Sequence, residues 1–408
     1  MSFTKDLEFQ ATFESDSVNR CPHFQPETCK DSSWESDSHE SDTESLDDDQ
    51  NTFYQPWWFD QLTDTAEMIL DMFTDNQLRS FRYRPTKSFI QLQLMAKYFY
   101  SWDMGTCIPE GILGPNGIIN SRQACLQSLS LTTDWQCYRD NPLRRKYPCR
   151  QRSMISLNGL RKLKRLRWRA PHAEDIYTLS LAICANREHL EVLELDFIDW
   201  KQSINMGLRN TEMIGSDCPL LSDLLDLAPT CPTPLFPNLK DLSLSECFIG
   251  PGLAIAVDFD ALRSLKLRGC PGWCGFVEKI TALQITPKIK VFELLAPRDN
   301  MIGSTERDQS ITRFLKSFGN LEELYLLFGH PWFPNTDFWA AVAGHEGTLR
   351  RCILDGLWDH VPSHRRREVP HLTEAGVCLP VDPLSSLDLE YVGLLNNPDC
   401  MVSPSPIF

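Results

Sequence analysis

No run of roughly 18 uninterrupted apolar residues occurs anywhere in the chain, so a membrane-spanning helix is not expected. Met1 to Gln10 is charged and lacks the apolar core of a secretory leader. Phosphate-loop, nucleophile-elbow and zinc-protease spacings (G-x-x-x-x-G-K-[ST], G-x-S-x-G, H-E-x-x-H) are all missing. The 15 cysteines are odd in number and scattered, which argues against a disulfide framework and for reduced thiols. Cys270 and Cys274 stand close together, as do Cys21, His23 and Cys29, but neither group has the second ligand pair that structural zinc requires. The sequence therefore predicts no metal, no cofactor and no catalytic set, and it places the protein in the cytoplasm or nucleus.

Basic excess is also lacking. The net charge is −15, and residues 1–60 hold 15 acids against 3 bases. The remaining 348 residues carry 40 acids and 37 bases, so the body is nearly neutral. A bulk electrostatic grip on nucleic acid is excluded on that balance. Asp31 to Asp49 contains nine acids and no Lys or Arg, too little apolar surface to offset the entropy of ordering. Residues 1–55 are accordingly expected to form a disordered acidic tail. Ser32, Ser41 and Ser45 each have an acid three residues on, the spacing acidophilic kinases use, although a solubilising tail needs no such role.

What the chain does have is a recurring phrase. Leu239-Lys-Asp-Leu242-Ser-Leu244-Ser-Glu-Cys247 and Leu262-Arg-Ser-Leu265-Lys-Leu267-Arg-Gly-Cys270 both read L-x-x-L-x-L-x-x-C, the strand segment of a leucine-rich repeat. The spacing recurs at Leu78-Phe81-Tyr83, Leu126-Leu129-Leu131, Leu163-Leu166-Trp168, Leu190-Leu193-Leu195, Ile289-Phe292-Leu294, Leu321-Leu324-Leu326, Leu349-Cys352-Leu354 and Leu384-Leu387-Leu389. Unit starts lie 23 to 49 residues apart. One unit cannot bury its apolar row alone, so the units must stack. The expected fold is α/β: a right-handed leucine-rich-repeat solenoid with a curved parallel sheet backed by helices, in about nine to ten irregular units. Helices are expected over Asp175 to Arg187, Ile311 to Phe318 and Asp337 to Ala343, where apolar residues recur at helical spacing.

The solenoid is expected over residues 56–395, opening with a capping helix within 56–76. Residues 82–100 carry four bases, no acid and many aromatics, and read as an insertion into a strand phrase that would otherwise run from Phe81 to Ser101. The alternative is a basic amphipathic docking segment. Residues 205–236 hold four prolines and read as a long loop, with a short helix near Leu220 to Leu227. Residues 396–408 read as a frayed tail.

The run Ser101-Trp-Asp-Met-Gly-Thr-Cys-Ile-Pro, the Gly114-Pro-Asn-Gly turn, Leu126-Gln-Ser-Leu-Ser-Leu-Thr-Thr-Asp, and Leu262 through Cys270 to Pro-Gly-Trp273 resemble fungal F-box/leucine-rich-repeat proteins over roughly residues 62–395, and Leu387-Asp-Leu-Glu-Tyr-Val-Gly-Leu-Leu395 fits their usual last strand. The resemblance implies a substrate receptor of an SCF-type ubiquitin ligase, with an F-box docking on the Skp adaptor and cullin, and repeats holding a protein substrate. Ile108-Pro-Glu-Gly-Ile-Leu113 imitates the opening of an F-box, but Gly114-Pro-Asn-Gly stops the helix that should follow. No adaptor-binding residue is carried over. A repeat scaffold without a ligase link is the alternative, and an enzyme with a site on one rim is a distant third.

Strand alternation then fixes which side chains leave the core. Residues between the leucines point outward, which assigns Arg165, Arg167, Arg169, Glu194, Asp196, Lys266, Arg268, Glu293, Glu323, Tyr325, Arg351 and Asp355 to a concave face, together with Asp241 and Ser243. Tyr325 is the expected aromatic anchor in a mixed-charge surface suited to a protein partner. The same charges could equally form cross-strand ion pairs with no ligand.

Overall fold

The computed structural model describes residues 6–9, 12–13, 57–83, 86–87, 108–133, 155–171, 175–197, 234–296, 304–328, 336–356 and 387–394. They form a single open sheet of 11 parallel strands backed by helices. In spatial order the strands are β1 (Asp6–Phe9), β3 (Ser80–Tyr83), β5 (Ser128–Thr132), β6 (Arg165–Arg169), β7 (Val192–Asp196), β8 (Asp241–Ser245), β9 (Ser264–Arg268), β10 (Val291–Ala296), β11 (Glu323–Phe328), β12 (Arg351–Gly356) and β13 (Tyr391–Leu394). A separate two-residue pairing joins β2 (Thr12–Phe13) to β4 (Thr86–Lys87). The helices are α1 (Trp57–Asp71), α2 (Glu110–Leu113), α3 (Ile118–Arg122), α4 (Ile176–Asn186), α5 (Leu253–Ala256), α6 (Trp273–Ala282), α7 (Ser304–Lys316) and α8 (Thr336–Ala343).

The leucine spacing dictates this arrangement. Apolar side chains two apart on a strand share one face, and here that face meets helices. Leu239, Leu242 and Leu244 are buried, as are Leu262, Leu265 and Leu267. The register aligns these rows: Leu242 pairs with Leu193 on one side and Leu265 on the other, and Leu244 with Leu195 and Leu267. Each leucine is thus covered by its counterparts as well as by the helices behind. Phe292 of β10 packs edge-on against Phe314 of α7 at 5.1 Å between centroids, and Phe314 meets Phe318 at the same distance. Burying each such side chain contributes about 1.5–3 kcal/mol.

Polar groups in the core mark the joints between units. Asn186 closes α4 and is fully buried. Its Oδ1 accepts from the backbone N–H of Leu163 at 2.8 Å, and its Nδ2 donates to Leu160 O at 2.8 Å. Gln123, just after α3, accepts in the same way from the N–H of Leu78 at 2.9 Å. Thr348, after α8, donates to Leu321 O at 2.9 Å. In all three cases a side chain at the end of a back-side segment satisfies the first residue of the preceding strand phrase, whose polar backbone would otherwise be buried without a partner.

Three boundaries differ from the sequence expectation. Asp6–Phe9, inside the segment expected to be disordered, forms β1 and pairs in register with β3, Leu7 beside Phe81. Arg82 and Tyr83, assigned to an insertion, complete β3: Tyr83 is buried and pairs with Leu131, so the strand does not need Ser101. The last strand is not the Leu384-Leu387-Leu389 phrase. Val392 and Leu394 pair with Cys352 and Leu354, so the spacing runs Leu389-Val392-Leu394, and Leu387 is buried ahead of the strand. The helix expected near Leu220 to Leu227, most of 1–55 and of 82–100, and the tail 396–408 lie outside the described residues; of the 205–236 loop, only 234–236 is described, with Phe236 bridging to Val257.

Asn186→Ala leaves the Leu163 N–H and Leu160 carbonyl buried without their partner. The expected cost is about 2–4 kcal/mol, read as a lower urea midpoint with faster hydrogen exchange at Leu163 than at Leu321.

Candidate functional site

The sheet face turned away from the helices carries the predicted contact residues whose side chains are described. Register sets them in rows. Across the middle row run Glu8, Arg82, Ser130, Arg167, Glu194, Ser243, Lys266, Glu293, Tyr325 and Ile353. One row further along the strands come Thr132, Arg169, Asp196, Ser245, Arg268, Leu295, Leu327 and Asp355. Arg165, Asp241, Ser264, Glu323 and Arg351 belong to the row before the middle one. The side chain of Asp355 lies outside the described residues.

Most of these charges pair across strands. Arg167 Nε lies 3.0 Å from Glu194 Oε2, and Arg169 Nε 3.3 Å from Asp196 Oδ2. Arg268 holds Glu293 with two parallel hydrogen bonds, Nε to Oε1 at 2.5 Å and Nη2 to Oε2 at 2.8 Å. Arg351 Nη1 donates to Glu323 Oε1 at 3.0 Å, and the Tyr325 hydroxyl donates to Glu323 Oε2 at 2.8 Å. Arg165 is exposed and has no ion pair among the described residues. Exposed pairs of this kind each contribute about 0.2–1 kcal/mol; the two-pronged Arg268–Glu293 contact, with the Glu293 side chain only 17% exposed, belongs at the stronger end.

Proton affinities follow the geometry. The Glu293 hydrogen bond raises the Arg268 guanidinium above its usual value. Burial raises the Asp196 carboxyl, against the opposing pull of Arg169 and Arg268. Burial, then Glu323, raises the Tyr325 phenol. Tyr325 is therefore a tethered, half-buried ring rather than a free anchor. Beside it Leu295, Leu327 and Ile353, all half-buried, form an apolar shoulder that the charge-based reading of the face passed over.

Between β7 and β9 the face is indented. A hollow of about 180 Å³ is bounded by Arg167, Glu194, Asp241, Lys266 and Arg268, with Ser243 at its floor. It exists because the outward positions here are small: Val192, Ser243, Ser245 and Ser264 are all buried beneath longer neighbours. Parity placed Ser243 on this face, but Val192 and Ser264 were missed; the only signal was the coincidence of short side chains on adjacent strands.

Among the described residues the buried thiols serve the core. Cys270 Sγ donates to Leu244 O at 3.2 Å, its hydrogen bond raises Cys247, and burial pushes Cys274 and Cys352 up to about 12. Such thiols stay protonated and unreactive. Among the described residues no group of three or more His, Cys, Asp or Glu side chains could hold a metal ion. Burial lowers the His345 imidazole, whose Nε2 lies 3.2 Å from Leu315 O in the core. No helix among the described residues is long and apolar enough to cross a membrane. No protein-family model matches the chain, and no curated protein is significantly similar to it.

Where the strands begin, Glu191 bridges Lys240 Nζ at 2.8 Å and Lys164 Nζ at 3.3 Å. Lys240, and then Lys164, hold its carboxyl below the usual 4.5. A depressed carboxyl contributes stability that is complete above its ordinary value and lost as pH falls through the folded one. Glu191→Gln should therefore lower the urea midpoint at neutral pH and show a smaller loss of stability than the parent chain between about pH 6 and pH 3.

Proposed function

We propose that the chain is a right-handed leucine-rich-repeat solenoid of the fungal F-box-like kind, and that it recognises a protein on the open, concave face of its sheet as a substrate-binding subunit of an SCF-type ubiquitin ligase. The observation that carries the recognition reading is the open face itself. Parallel strands repeat the L-x-x-L-x-L phrase, and the residues between the leucines form a broad surface of paired charges with an apolar shoulder and an indentation. Mixed charge with a tyrosine and aliphatic side chains suits a protein surface better than a phosphate backbone. The Skp adaptor and cullin are partners under this proposal only if an F-box is present, upstream or cryptic.

A repeat scaffold without a ligase link is the second reading, and one observation favours it. Ile108, Ile112 and Leu113, which imitate the F-box opening, are buried in the stack around α2, where they fill core and cannot dock an adaptor.

The test is co-elution of the purified full chain with purified Skp adaptor and cullin. A stable complex is the expected result. A chain that binds neither, yet keeps a protein partner that Arg167→Glu with Arg268→Glu releases, is a scaffold. Partner binding that survives the double charge reversal, in a chain still folded by circular dichroism, removes the open face as the recognition surface.

A further inference from the structure

The hollow on the open face has a more specific chemistry than the face around it. Ser243 is 92% buried, its exposure being 8%, and its Oγ has no hydrogen-bond partner. An unpaired buried hydroxyl is costly in a finished protein surface, and it lies at the floor of a cavity. Glu194 and Lys266 are its register neighbours on opposite sides, one on β7 and one on β9. Asp241 stands two residues before it on the same strand. Lys266 and Asp241 have no ion pair among the described residues, while Arg167 and Arg268 are occupied by Glu194 and Glu293.

The hollow therefore has a negative wall, a positive wall and a hydroxyl between them. The bounding cations Arg167, Lys266 and Arg268 are balanced by Glu194, Asp241 and the Glu293 that Arg268 holds. A carboxylate entering it would meet Glu194 and Asp241; a cation would meet Lys266. A carboxamide matches both walls, because its NH2 donates and its carbonyl accepts. Resting on the protein-recognition reading above, we propose that this hollow receives the side chain of an asparagine or glutamine presented by a partner protein. The amide NH2 faces Asp241 and Glu194, and its oxygen accepts from Lys266 Nζ and the Ser243 hydroxyl.

The test is selection from a random displayed-peptide library on the immobilised full chain. The expected result is a selected consensus with Asn or Gln at one fixed position. Lys266→Met weakens the best peptide about tenfold. Lys266→Glu turns the fixed position to Lys or Arg, because both walls are then acidic. Ser243→Val, which fills the floor with a residue suited to strands, abolishes the preference at that position; Ser243→Ala keeps the space and weakens binding without changing the preference. An acidic or apolar consensus in the parent chain, or an amide preference that survives Ser243→Val, overturns the proposal. Peptides indifferent to Ser243 and Lys266 but lost on Arg351→Glu overturn the hollow and leave recognition by the face standing. A library that yields no binder at all counts against both.

Discussion

Every strand in this molecule depends on its neighbours for its backbone hydrogen bonds. A parallel strand cannot satisfy its own N–H and C=O groups, and its partner strand must come from another stretch of chain. The ladder can be followed strand to strand at the residue before each strand: Lys164 N to Gln127 O, Glu191 N to Lys164 O, Lys240 N to Glu191 O, Arg263 N to Lys240 O, and onward to Glu390 N and Arg350 O. Leucine rows, buried amides at the joints and the ordering of charges on the open face all inherit that register. The core of one unit is completed by the next, so removing a joint residue such as Asn186 disturbs two units at once.

That dependence explains what could be read in advance. The apolar spacing is a direct consequence of strand geometry, so nine of the 11 sheet strands were legible from leucine positions. The failures are equally physical. Asp-Leu-Glu-Phe at residues 6–9 alternates as a strand should, but the acidic composition around it masks four residues of pattern. At the other end leucine spacing alone points to Leu384-Leu387-Leu389, whereas the strand lies within Leu387 to Leu395, as the family resemblance implied, and Val392, β-branched and suited to a strand, carries the spacing. Tyr83 carried two readings, the last apolar position of Leu78-Phe81-Tyr83 and part of a basic aromatic insertion, and its pairing with Leu131, 48 residues away, supports the first.

The open face was half legible. Parity assigns which residues point outward, and all the assigned positions do lie in the outward rows. Unit order also set the basic strand beside the acidic one, and the cross-strand pairs this allowed are present as Arg167–Glu194 and Arg169–Asp196; the two-pronged geometry of Arg268–Glu293 required the fold. The hollow was less legible still. It is a property of side chains that are absent, produced when Val192, Ser243 and Ser264 fall side by side. Extensive self-pairing also shapes how this surface can bind: a partner charge gains little where an internal pair must first be broken, so the strongest contacts belong where polar groups are still unmatched.

The stretches of chain between successive strands vary widely in length, yet the strands keep one register. The face is consequently a ruler whose rungs stand ~4.8 Å apart whatever the sequence inserts between them. Eleven rungs span about ten such intervals, roughly 48 Å, before any curvature. An extended segment laid across them, rising ~3.4 Å per residue, would be measured over roughly 14 residues. Length can be added or removed between one rung and the next without moving the marks on the scale.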